Sequence, residues 1–156
     1  MFKRTHDNSD SGTLLLGWVF PLTYLLHILE EYWSDFPSHL LHTQGVALSM
    51  PRFLILQSIG LSLMILGVIL SRRLGFPNRL LLILAGVIAG NSLVHLFRSI
   101  WFEVLEPGLI TSLFLWLPLA TLTLFRGWPS ITRSRYVISV CIGLAISAAV
   151  EIVTIS

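Results

Sequence analysis

Charge is scarce in this chain. Only 12% of its 156 residues are Asp, Glu, Lys or Arg, about half of the ~25% that a water-facing domain carries, so a soluble core of this size cannot be covered. Soluble enzyme folds and intrinsic disorder are thereby excluded. A basic stripe is also missing: ten Lys and Arg against eight Asp and Glu give a net charge of +2. They stand singly or in pairs between apolar runs, which excludes nucleic-acid binding. Cysteine is almost absent. Cys141 alone, inside an apolar segment, permits no intrachain disulfide and reads as a packing residue. No repeat, low-complexity tract or second domain is visible.

What fills the chain is hydrocarbon: 54% of residues are hydrophobic and the mean hydropathy is +0.82. Five apolar stretches, Leu14–Trp33, Pro51–Ser71, Asn78–Arg98, Gly108–Phe125 and Arg135–Ile155, are each near the ~20 residues a helix needs to cross ~30 Å of hydrocarbon. The expected fold is all-α, a polytopic membrane protein with one five-helix transmembrane bundle over residues 14–156, after a flexible polar tail over 1–13. The first stretch is too long for a signal peptide, lacks a small-x-small cleavage site, and carries His27, Glu30 and Glu31. Ser49-Met50-Pro51, Gly75-Phe76-Pro77, Glu106-Pro107-Gly108 and Gly127-Trp128-Pro129 punctuate the runs. Pro21 and Pro118 fall inside helices and should bend them.

Lys3, Arg4, Arg72, Arg73, Arg79, Arg126, Arg133 and Arg135 share one side of this plan, with Arg52 and Arg98 on the other. The positive-inside rule then puts the amino terminus in the cytoplasm and the carboxyl terminus outside. With the orientation set, a rise of 1.5 Å per residue places the polar intramembrane residues in depth. His27 and Asn91 come about 20 Å up, and Glu30, Glu31, His95 and Glu151 about 24–26 Å. Gln57 and Thr111 reach the same layer from the outer turns of the second and fourth helices. Groups this costly against lipid turn into the bundle. His27 with Glu30 and Glu31, and Asn91 with His95, recur at helical spacing, so each set forms one stripe, the first of which Tyr24 extends. Gly143, Ser147 and Glu151 line a small-residue face on the fifth helix, which brings Glu151 to the site, and Gly86 and Gly90 form a close-packing face through which a homo-oligomer is expected. Glu103, Glu106, His39 and His42 read as solvated loop residues, the Glu alternatively paired with Arg98, and most tryptophans as interfacial anchors.

His27-Ile28-Leu29-Glu30-Glu31, Asn91-Ser92-Leu93-Val94-His95 and Pro107-Gly108, in this order on this hydrophobic plan, resemble the HXXEE-domain family of small bacterial membrane proteins. The resemblance implies a shared site in a bacterial cytoplasmic (inner) membrane, not a chemistry. The residues themselves suit a divalent metal, zinc first, iron or manganese next, with His27, Glu31, His95 and Glu151 as ligands. His27, Glu30, Glu31 and Asn91 are the candidate catalytic groups, Glu30 as base or support and Asn91 as an orienter. The expected function is a small intramembrane enzyme acting on a lipid-like or isoprenoid substrate by hydrolysis, group transfer or acid–base isomerisation. The alternative is a non-enzymatic module or transporter component whose cluster binds a proton, cation or ligand, or ties helices together.

Overall fold

The computed structural model describes residues 7–128 and 130–156, and every regular element among them is helical. In chain order these are α1 (Asp7–Trp33), α2 (Phe36–Gln44), α3 (Met50–Arg73), α4 (Pro77–Trp101), α5 (Leu109–Gly127) and α6 (Arg133–Ile155). Four of them, α3, α4, α5 and α6, are long and apolar enough to cross a membrane, which marks the chain as a membrane protein. That is one fewer than the five read from the sequence. That count is of the described residues, and the long helix not among the four is α1. Residues 1–6, with Lys3 and Arg4, lie outside the described residues; from Asp7 onward the expected tail is already helix.

Helix α4 is the hub, packed against α1, α3, α5 and α6. Its tightest seam is with α6, because Gly86 and Gly90 leave no side chain between the backbones: a Cβ on Gly86 would lie 3.1 Å from the Gly143 Cα, and one on Gly90 2.8 Å from the Ser147 Oγ. The small-residue faces predicted on these helices therefore meet each other within one chain. Phe20, Leu84, Ala85, Ile88, Trp116 and Ala120 form the main core between α1, α4 and α5. The outer faces of α3 and α6 are apolar and uncovered, with Ile59, Leu63, Ile138 and Val150 exposed. Cys141 belongs to that outer face and is exposed rather than packed.

Two features were not read from the sequence. Residues 34–49 are not a plain loop but contain α2, capped at its start by Asp35 and ended by Gly45. Phe36 and Leu40 of α2 pack on Leu48 and Phe53, a small apolar cluster separate from the main core. The other feature is Pro118, which does not simply bend α5. Ser112–Trp116 winds as a π-turn, with the Leu117 N–H bonded to the Ser112 carbonyl, and widens the helix where the proline ring would meet the carbonyl four residues back.

Candidate metal centre

The ends of α1 and α4 and the starts of α3 and α5 meet at one end of the bundle. Residues one helical turn apart on α1 and on α4 face each other there: His27 and Glu31 from the first, Asn91 and His95 from the second. Glu31 Oε1 lies 3.5 Å from His27 Nε2 and 3.6 Å from His95 Nε2, and the three ligand-type atoms all fall within 4.8 Å of one another. All three residues are buried. The other carboxylate oxygen of Glu31 accepts from Gln57 Nε2 at 2.7 Å, and Gln57 Oε1 in turn accepts the Tyr24 hydroxyl at 2.6 Å. Tyr24 needs Gly60 opposite it, because a Cβ there would come within 2.5 Å of its hydroxyl.

Glu30 turns elsewhere. Successive helical residues point about 100° apart, and its two oxygens accept the Ile110 and Thr111 amides at 3.0 and 2.7 Å. Those amides open α5, where helix geometry leaves them without internal partners and the macrodipole favours a carboxylate. Glu30 thus fastens α5 to α1 and does not reach the centre. Neither does Glu151: it pairs with Arg98 at 2.8 Å and is absent from the His27, Glu31 and His95 group.

Several residues around the centre were not assigned to it from the sequence. Gly108, with φ +88, lies directly on it: a Cβ there would stand 2.6 Å from His27 Cε1 and 2.8 Å from His95 Cε1. Trp116 is buried rather than interfacial, its ring centroid 3.8 Å from that of His27, whereas Trp18, Trp33, Trp101 and Trp128 are exposed as anchors should be. Glu106 was expected in solvent or beside Arg98; it is fully buried, 2.7 Å from His39 Nε2 and 3.8 Å from Arg98. His39 is half-buried on α2 and only His42 is exposed.

The family described as a protein of unknown function with HXXEE motif matches residues 18–123, about two-thirds of the chain. The chain belongs to this family. No curated protein and no solved structure matches it. The HXXEE match ends before α6, so it takes in His27, Glu30, Glu31, Asn91, His95, Gly108 and Thr111 and leaves Glu151 outside.

Proton positions at the HXXEE histidine follow from its partners. Asn91 Nδ2 can only donate and approaches His27 Nε2 at a long 3.4 Å. This assigns the His27 proton to Nδ1, from where it is donated to Thr111 Oγ1 at 2.7 Å, and that hydroxyl points on to the Gly108 carbonyl at 3.3 Å. This leaves the Nε2 lone pair facing a carboxylate oxygen at 3.5 Å. Such a separation is too long for a good hydrogen bond, although Tyr24–Gln57, Gln57–Glu31 and His27–Thr111 beside it close to 2.6–2.7 Å. It is close to the spacing of two ligands around one ion, since bonds of 2.0–2.1 Å at a tetrahedral angle hold ligand atoms about 3.4 Å apart.

Proposed function

We propose that this HXXEE protein is a membrane enzyme that holds one divalent metal ion through His27 Nε2, Glu31 Oε1 and His95 Nε2 and uses it on a lipid-like substrate. One observation carries the reading: the Glu31 Oε1 stands 3.5 and 3.6 Å from two buried imidazole nitrogens, near coordination spacing, instead of hydrogen-bonding to them. Two imidazoles and one carboxylate leave a coordination position free, the arrangement of catalytic zinc sites, with iron or manganese the next candidates. The outer partners support it. Thr111 fixes the His27 tautomer and Gln57 fixes the Glu31 rotamer, which is how ligands are commonly oriented. Such an ion acidifies water and polarises a carbonyl or phosphoryl oxygen, so the reaction class is hydrolysis or group transfer. Asn91, half-buried beside the centre, would orient the reacting group.

In this reading α1 is a fifth crossing, the arginine-rich ends of α3, α4, α5 and α6 face the cytoplasm, and the centre opens toward the outer leaflet of the bacterial inner membrane. Elemental analysis of the purified chain, beside His27→Ala and His95→Ala, tests the metal. The expected result is stoichiometric metal in the parent and none in either variant. A folded parent that takes up no zinc, iron or manganese would refute it. If Glu31→Gln then also raised thermal stability without a change in cellular lipids, the cluster would be a device for tying helices together. Lipid profiling of cells with and without the protein identifies the substrate.

A further inference from the structure

The connection Phe102–Gly108 between α4 and α5 is not helical, and its last residue, Gly108, lies against the metal-ligand cluster. Its backbone is left-handed at two points, Glu103 with φ 54 and Gly108 with φ 88. Between them Val104 and Leu105 are exposed, so the middle of the segment is not anchored by apolar packing. Beyond them Pro107 and Gly108 are buried, and a polar anchor lies at Glu106. Glu106 is buried, its amide bonded to Ser99 Oγ at 3.1 Å and its carboxylate to His39 Nε2 at 2.7 Å, with Arg98 at 3.8 Å. Arg98 is itself drawn toward Glu151 at 2.8 Å, which leaves His39 as the close partner of the Glu106 side chain. His39 sits on α2, and α2 is held independently by Phe36 and Leu40 against Leu48 and Phe53. The pieces have distinct parts to play: a short covering segment with a turn at each end, a rigid catch beside it, and one buried contact between the two.

We infer that Phe102–Gly108 is a lid over the metal centre, latched to α2 by the His39–Glu106 contact, and that Glu106 is a positioning residue that keeps Gly108 seated on the two imidazoles. The inference rests on the metal reading for its ligand, but not for its motion. With the latch closed, the Gly108 position leaves no room for a side chain above His27 and His95, so a lipid-like substrate reaches the free coordination position only when the segment lifts. Losing a buried, charge-assisted hydrogen bond shifts an opening equilibrium by about tenfold to a hundredfold.

The test uses the full chain in detergent micelles, loaded with zinc, as parent, His39→Ala, His39→Gln and Glu106→Gln. Metal release to excess chelator and amide hydrogen exchange over residues 103–111 are both measured. Expected is release about tenfold or more faster in His39→Ala and Glu106→Gln at unchanged stoichiometry, with matching loss of exchange protection confined to 103–111. His39→Gln, which keeps a donor, should restore most of both. Parent-like release and parent-like exchange in His39→Ala would overturn the lid. If the parent binds no zinc, the metal reading fails, and the exchange measurement alone decides the lid. If Glu106→Gln does not fold, the His39 pair carries the same decision, because His39 is only half-buried, on a helix held by its own apolar cluster.

Discussion

Replacing Gly108 by alanine isolates what the Pro107-Gly108 turn does to the centre. Two costs add. The backbone cost comes from φ +88, where an L side chain is strained by about 1–2 kcal/mol. The second cost is a collision. The new Cβ would stand 2.6 Å from His27 Cε1, 2.8 Å from His95 Cε1 and 3.2 Å from Glu31 Cγ, against the 3.5–4.0 Å at which carbon atoms rest. Either both rings retreat by most of an ångström or α5 lifts, at about 1–3 kcal/mol for overpacking a filled site. Gly75 supplies the control: its φ of +76 carries the same backbone strain, yet a Cβ there meets nothing within 4 Å. Thermal unfolding in micelles should therefore show Gly75→Ala destabilised by the backbone cost alone and Gly108→Ala by about 2–5 kcal/mol in total. Metal content should be intact in the first and lost or sharply weakened in the second, since ligands must hold within about 0.5 Å of their geometry. Equal unfolding temperatures and equal metal content in the two variants would show that Gly108 does not press on the imidazoles.

The α4–α6 seam predicts that Gly143→Ala, whose Cβ would fall 2.9 Å from the Gly86 Cα and closer still to a carbonyl of Ile83, lowers stability by several kcal/mol, whereas Gly67→Ala, which meets only Leu80 at 3.4 Å, changes it by less than about 1 kcal/mol; unfolding curves that rank them the other way would refute the seam. Glu30→Gln should weaken the hold on the first amides of α5 and cost about 1–2 kcal/mol, yet leave the metal stoichiometry of the parent, because Glu30 bonds to Ile110 and Thr111 and not to the centre. Loss of metal in Glu30→Gln at full folding would instead make Glu30 a ligand.

Much of the helical plan was legible because helix ends leave local marks. Pro51, Pro77 and the Gly127-Trp128-Pro129 break lie within a few residues of the observed ends of α3, α4 and α5. The convergence of His27, Glu31, Asn91 and His95 was legible too, since counting residues from a helix end converts sequence into depth, and the cost of polar groups against lipid supplies the facing. What counting along the chain could not supply is azimuth between helices. Glu151 has the right depth but sits where Arg98 can reach it, and depth alone does not separate the two sides of α4. Helix α2 was missed because a nine-residue segment with two histidines and a proline at its second position carries no periodic signal longer than two turns. Glu106 was missed because solvation is the ordinary fate of a loop glutamate, and only the fold brings His39 over it.

The π-turn in α5 shows how a local defect becomes part of the site. Thr111 and Trp116 are five residues apart, and both reach His27, the first through its hydroxyl at 2.7 Å and the second through its ring at a centroid distance of 3.8 Å. On a regular α-helix five residues advance about 500°, so two such side chains point some 140° apart and cannot share a neighbour. Closing the turn from Ser112 to Leu117 instead takes fewer degrees per residue and brings residues five apart to within roughly 50° of each other. Pro118 makes that wide turn favourable, because a proline in register would clash with the carbonyl of Phe114. The same residue that reads in the sequence as a helix breaker thus lets one stretch of α5 both fix the His27 proton, through Thr111, and wall the ring, through Trp116. Pro118→Ala should let the segment relax toward regular α-helix and pull Trp116 off the imidazole, which a change in tryptophan fluorescence on adding metal to the parent but not to the variant would report. An unchanged response in Pro118→Ala would mean that packing from α1 and α4, not the proline, holds the turn open.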